Sequence, residues 1–158
     1  MEMGDNPKIV WLTRYLNLQR QVDNREDSLA RYENAQYLPA MPDSDGSKHT
    51  PGRSDRMANA TVRYMEQKKK LTPIIAACKA KMKAIEDAVY AIEDPLEQEV
   101  LILRYLEGAE GYRLMKWREV ALAMYHRDDE SDLTRVHRLH GAALLSLTMP
   151  DETEDGVS

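Results

Sequence analysis

The chain has 158 residues, a formal net charge of −5 and 31% charged residues. That length sets a prior of one domain, or one small domain with an appendage. The acidic balance argues against an indiscriminate nucleic-acid binder, which would be basic. Phe is absent and Ala, Leu, Glu, Lys, Arg and Met dominate, which is the composition of an all-α protein.

No stretch approaches the roughly eighteen apolar residues of a membrane span, so a soluble protein with no membrane partner is expected. The opening MEMGDNPK has acids before its first base and no apolar core, so no secretory signal is expected. Cys78 is the single cysteine; no internal disulfide can form, which fits a reducing cytoplasm. The negative charge is unevenly spread. Asp151, Glu152, Glu154 and Asp155 make an acidic tail over 149–158, whereas 57–94 carries a surplus of bases.

Asn6-Pro7 signals a helix start, because proline suits the first helical position. From there Trp11, Tyr15, Leu18, Val22, Arg25, Leu29, Tyr32 and Gln36 follow heptad steps, widened by Leu12 and Leu16. The spacing predicts a coiled-coil-like helix of about 30 residues, ~45 Å long. Pro39 and Pro42 end it. Residues 39–54, rich in Pro, Gly and Ser, read as a mobile connection, with Ser54 or Asp55 as the cap of the next helix.

That next helix keeps phase through Met57, Thr61, Tyr64, Lys68, Leu71, Ile75, Cys78, Met82, Ile85, Val89 and Ile92. Pro73 lies inside it. Because the phase survives, the sequence predicts a bend there rather than a break. Residues 1–94 are thus expected to form a long antiparallel helical hairpin, and the thin core of two helices favours a homo-oligomer. Lys68, Lys69 and Lys70, with Lys79, Lys81 and Lys83, make the main basic run. Pairing with Asp23, Glu26 and Asp27 is its plain reading. Cys78 occupies a core heptad position, where a thiol is inert.

Asp94-Pro95 closes the hairpin and opens a second unit over 95–148. LEQEVLILRYLE places Leu96, Val100, Leu103 and Leu106 on one face, and Gly108 closes it. After a loop to Met115, Lys116–Tyr125 puts Val120, Ala121 and Met124 on one stripe with Trp117 at its start. Asp132–Leu147 repeats the pattern with Val136, Leu139, Ala143, Leu144 and Leu147. Two short helices joined by a turn, the second showing a polar face, describe a helix-turn-helix. That polar face holds Thr134, Arg135, His137 and Arg138, the candidate DNA-binding residues. Arginine pairing with guanine is the commonest specific contact; the bland alternative is a solvated face paired with nearby acids.

The polar turn is read as Tyr125–Leu133, capped by Ser131 or Asp132, and Asp128, Asp129, Glu130 and Asp132 crowd the start of the reading helix, where phosphate is expected. His137 and His140 are three apart, but no third ligand completes a metal set, so His140 is assigned to packing or capping. Gly141 reads as a close helix approach. No phosphate loop, carboxylate pair or nucleophile set is present, so neither enzyme activity nor a cofactor is expected.

Arg104-Tyr105-Leu106-Glu107-Gly108, Trp117-Arg118-Glu119-Val120-Ala121 and Val136-His137-Arg138-Leu139-His140-Gly141, with Ala143, Leu144 and Leu147, resemble a phage and prophage family of transcriptional activators, the ArpU-like and RinA-like proteins. The Ser54-Asp55-Arg56 junction also looks like that family. The resemblance spans about residues 54–147. It implies a helix-turn-helix similar to region four of bacterial sigma factors, double-stranded DNA as partner, contact with bacterial RNA polymerase, and control of late or packaging genes. The alternatives are a packaging adaptor like a small terminase subunit, and a protein-interaction module without DNA.

Overall fold

In a computed structural model the chain is all-α, and the residues it describes are 6–37 and 53–150. The connection expected over 39–54 and the acidic tail over 149–158 therefore lie largely outside the described residues. Among the described residues five α-helices follow one another: α1 (Pro7–Ala35), α2 (Arg53–Tyr90), α3 (Pro95–Leu101), α4 (Trp117–Tyr125) and α5 (Glu130–Ser146). Among the described residues there is no strand, only an isolated bridge between Ala109 and Arg113. No described helix is long and apolar enough to cross a membrane.

The caps follow from the sequence in two places. Asn6 Oδ1 accepts the Lys8 N–H at 2.9 Å, with Pro7 at the first helical position. Asp94 accepts the N–H groups of Leu96 and Glu97 ahead of Pro95. In both, a side-chain oxygen satisfies amides that a helix start leaves without partners. The start of α2 differs from expectation. It lies at Arg53, so Ser54 and Asp55 fall within the helix, and Asp55 in the first turn complements the positive end of the helix dipole. α2 runs unbroken through Pro73.

The chain divides into two compact units, Met1–Arg20 with Lys79–Ser158, and Gln21–Cys78. This differs from the boundary expected at residue 94, because the first turns of α1 and the last of α2 belong with the C-terminal helices. In the smaller unit Val22, Ile75 and Cys78 are buried, and the Cys78 thiol donates to Gln21 Oε1 at 3.8 Å. The heptad stripe of α2 is not covered throughout: Met57 is 44% exposed, and Thr61 and Lys68 are exposed too. In this unit α2 exceeds α1 by about eleven residues, ~16 Å of helix, so its first turns have no counterpart in α1. Periodicity specifies a face, but burying that face requires a matching length of partner. Lys68 lies over the Tyr64 ring, 5.7 Å from its centre, and Lys83 pairs with Asp87 at 2.9 Å.

The larger unit holds most of the core. Leu12, Tyr15, Leu16 and Leu18 of α1 and Met82, Ile85, Val89 and Ile92 of the α2 end are buried. The Tyr15 hydroxyl donates to Glu86 at 3.0 Å, and Lys8 Nζ donates to the Leu144 carbonyl at 2.7 Å. α3 and α4 both pack on α5. After Leu101 the helix widens into a π-helical stretch, Ile102–Glu107. Each i→i+5 turn carries an extra residue, which corrects the expected face: Val100, Leu101, Leu103 and Tyr105 are buried, while Leu106 is half-buried and Leu96 is 52% exposed.

Gly108 ends the π-helical stretch with φ 61° and ψ −157°, a region essentially reserved for glycine. A Cβ there would stand 2.5 Å from Leu16 Cδ1 and 2.6 Å from the Arg113 carbonyl oxygen, and a carbonyl cannot swing aside as a side chain can. Gly108→Ala is expected to destabilise by about 2–4 kcal/mol, combining backbone strain and overpacking. That corresponds to a fall in melting temperature of roughly 4–16 °C for a chain of this size. Thermal denaturation followed by circular dichroism checks it; an unchanged midpoint would refute the close approach.

Candidate nucleic-acid interface

α4 begins after Lys116, whose extended backbone (φ −66°, ψ 150°) leads into Trp117. It ends at His126, which takes the left-handed conformation (φ 60°, ψ 18°) and donates its N–H to the Leu122 carbonyl. Residues 126–129 then form the turn, and α5 starts at Glu130. The turn is thus shorter than the Tyr125–Leu133 span expected from its polarity, and it has the length common in helix-turn-helix units. The reason is the cap. Asp129, rather than Ser131 or Asp132, closes the helix start: its Oδ1 accepts the Asp132 N–H at 3.1 Å and the Ser131 hydroxyl at 2.7 Å. These donors, the Ser131 hydroxyl foremost, hold its carboxyl down at about 2.

With the cap at Asp129, the four acids near the helix start acquire separate roles. Asp128 pairs with Arg118 at 3.2 Å. Asp132 lies inside α5 and is fully buried, its Oδ1 accepting from Arg127 at 3.3 Å and standing 4.0 Å from Arg135. Glu130 is exposed, and its carbonyl accepts the Thr134 hydroxyl at 2.9 Å.

Thr134, Arg135, His137 and Arg138 all lie on the outer side of α5 and all four are exposed. Their surroundings differ. Thr134 turns its hydroxyl proton back onto its own helix. The Arg135 guanidinium lies 5.6 Å from the Tyr125 ring centre and has the long contact to Asp132. His137 tilts against Trp117, ring centres 4.9 Å apart. Arg138 makes no hydrogen bond or ion pair among the described residues.

The inner face of α5 is built around His140 rather than Leu139, which is only half-buried. His140 is 2% exposed, flanked by the buried Val136, Ala143 and Leu144. The Tyr105 hydroxyl lies 2.7 Å from His140 Nε2, and the Trp117 ring meets His140 edge-on at 4.6 Å. Arg104, from the same π-helical stretch as Tyr105, stacks on Trp117 with its guanidinium carbon 4.2 Å from the ring centre and donates to the Met115 carbonyl. Leu103, Val120, Ala121 and Val136 complete the apolar centre, with Met115, Met124, Tyr125 and Leu133 against it. Burial, and then the positive charges of Arg104 and His137, push the His140 pKa down to about 4. The neutral ring can accept the phenol proton, which burial makes harder to lose.

Arg104, Tyr105, Arg127 and Asp132 are not among the residues that the sequence singles out for the site. The π-helical stretch hides the first two from any 3.6-residue period. The sign of Asp132 places it with repulsive surface charge, although it falls one turn before Val136 on the buried face. Among the described residues no group of three or more His, Cys, Asp or Glu side chains is arranged to hold a metal ion. In comparisons with known proteins, no family model, no curated protein and no solved structure matches the chain.

The His140 shift sets a pH dependence. The unfolded chain binds a proton at this residue below about 6.5, whereas the folded one resists until about 4. Stability from this group is therefore complete above that upper value and falls as pH drops through the interval, by at most ~1.4 kcal/mol per pH unit. His140→Gln is expected to flatten this part of the profile. Urea titrations at a series of pH values across the interval check it, and an unaltered slope in the variant would remove His140 as its source.

Proposed function

We propose that the chain is a DNA-binding transcriptional regulator of a phage or prophage, activating late or packaging genes in the bacterial cytoplasm through α4 and α5. In this reading the long helices form the antiparallel hairpin that assembles copies of the protein, and bacterial RNA polymerase is the second partner. The observation that carries it is the outer side of α5. Arg135, Arg138, His137 and Thr134 lie there together, while Asp128, Asp129 and Asp132 are engaged by Arg118, by the helix start and by Arg127.

The acids crowding the turn are the main objection to DNA contact, and the objection weakens when three of them already have partners. A pair in which each carboxylate faces an arginine presents little net field to a phosphate. Phosphate contacts would then fix the register of α5, and the arginines would read base edges. A packaging adaptor like a small terminase subunit is the second reading. The exposed Met57, Val62 and Met65 along the first half of α2 favour it, because apolar side chains left in solvent suit burial between copies in a ring. Native mass spectrometry separates a closed ring from a monomer or dimer.

The test uses duplexes enriched by the full chain from a random-sequence pool. Arg135→Ala with Arg138→Ala is expected to weaken binding at least about tenfold and to lower the salt slope by about one for each phosphate that is no longer neutralised. Fluorescence anisotropy over a salt series reads both. Unchanged affinity in the double variant would refute these contacts, and no enrichment at low salt would refute DNA binding.

A further inference from the structure

We infer that Asp132 is a positioning residue of this interface: its buried carboxylate holds Arg127 of the turn and Arg135 of α5 as one preset pair, which makes Arg127 a DNA contact alongside Arg135. The inference rests on the DNA-binding reading above.

Asp132 is fully buried, and taking a carboxylate out of water costs several kcal/mol unless partners repay it. The partners present are oddly chosen for stability alone. Oδ1 serves both arginines, at 3.3 Å and 4.0 Å, while Oδ2 has no hydrogen-bond partner among the described residues. A group selected only to brace the helix start would use both oxygens, and the helix start is already capped by Asp129. The asymmetry is accounted for if the carboxylate acts on what lies outside it.

The two arginines come from different elements, yet they converge on one oxygen, and their side chains remain 61% and 57% exposed. Each guanidinium has five donors, so turning one edge inward leaves the outer edge free for a phosphate or a base. The Tyr125 ring gives Arg135 a second wall. A long side chain held beforehand in its binding geometry has less freedom to give up when DNA arrives. Asp129 faces Arg127 as well, so what the pair presents outward is two oriented guanidinium edges rather than a surplus of charge. Orientation, unlike charge, discriminates between sequences, because a base edge requires the fork at one angle whereas a phosphate tolerates many.

The experiment compares the full chain with Asp132→Asn, which keeps shape but removes the charge. The probes are a duplex enriched by the unaltered chain from a random-sequence pool and an alternating dA-dT copolymer. The variant is expected to lose about tenfold on the enriched duplex but less than about threefold on the copolymer, whose binding is set by charge. Equal losses on both, or unchanged discrimination with only a lower melting temperature, would overturn the proposal. If Asp132→Asn does not fold, Arg127→Lys with Arg135→Lys keeps both charges and removes the forks. Discrimination is then expected to fall about tenfold, and its retention would overturn the proposal. A pool that yields no enriched duplex overturns the DNA-binding reading first and this inference with it, so the two failures are distinguishable.

Discussion

A histidine ring at the meeting point of three helices constrains everything around it. His140 is almost wholly out of solvent, where an imidazole is tolerated only when neutral and hydrogen-bonded. The Tyr105 hydroxyl meets that demand, and it can do so only because Ile102–Glu107 is π-helical. A regular helix would turn Leu106 toward α5 and leave His140 without a partner. The same widening carries Arg104 onto Trp117, so a positive charge sits close to the buried ring and adds to burial in disfavouring its protonation. Helix geometry, aromatic packing and proton affinity are here one arrangement. Removing the Tyr105 hydroxyl leaves the buried His140 nitrogen unpaired, at a cost of about 1–3 kcal/mol.

Around that centre the charges of α4 and α5 sort by depth. Asp132 is inside, Asp128 and Asp129 are tied at the turn, and the arginines project outward. Backbone strain supports the sorting. His126 adopts a left-handed conformation that a side chain ordinarily avoids, and this ends α4 early enough for Asp129 to cap α5. A longer α4 would carry Asp129 out of capping position and release its carboxylate to the surface. The short turn and the quiet acids thus have a common origin.

Much of this is legible in the residues. The all-α class follows from composition, and the starts at Pro7 and Pro95 from proline and the Asn or Asp before it. The outward positions of Thr134, Arg135, His137 and Arg138 follow from a 3.6-residue period on α5. Legibility ends where regularity stops. The π-helical stretch moves the buried face from Leu106 to Tyr105, and the unmatched first turns of α2 leave Met57 in solvent despite perfect phase. Asp132 is misplaced by polarity, which suggests a loop, whereas its register with Val136 and His140 puts it inside. A sequence reports periodicity well, but it reports poorly which residues break the period to satisfy a buried partner.

Under the DNA-binding reading, the net charge of −5 and the arginine face act at different ranges. Beyond a Debye length, ~8 Å at physiological salt, a duplex would sense mainly the net charge, and electrostatic steering would be weak or repulsive. At contact, screening no longer averages over the surface and only the nearest groups count. Such a protein would associate slowly and gain its affinity after docking, from forks already held in place. That division favours discrimination over speed, because a strongly basic face binds any phosphate array, whereas a few fixed arginines on an acidic body hold only where the base edges also fit.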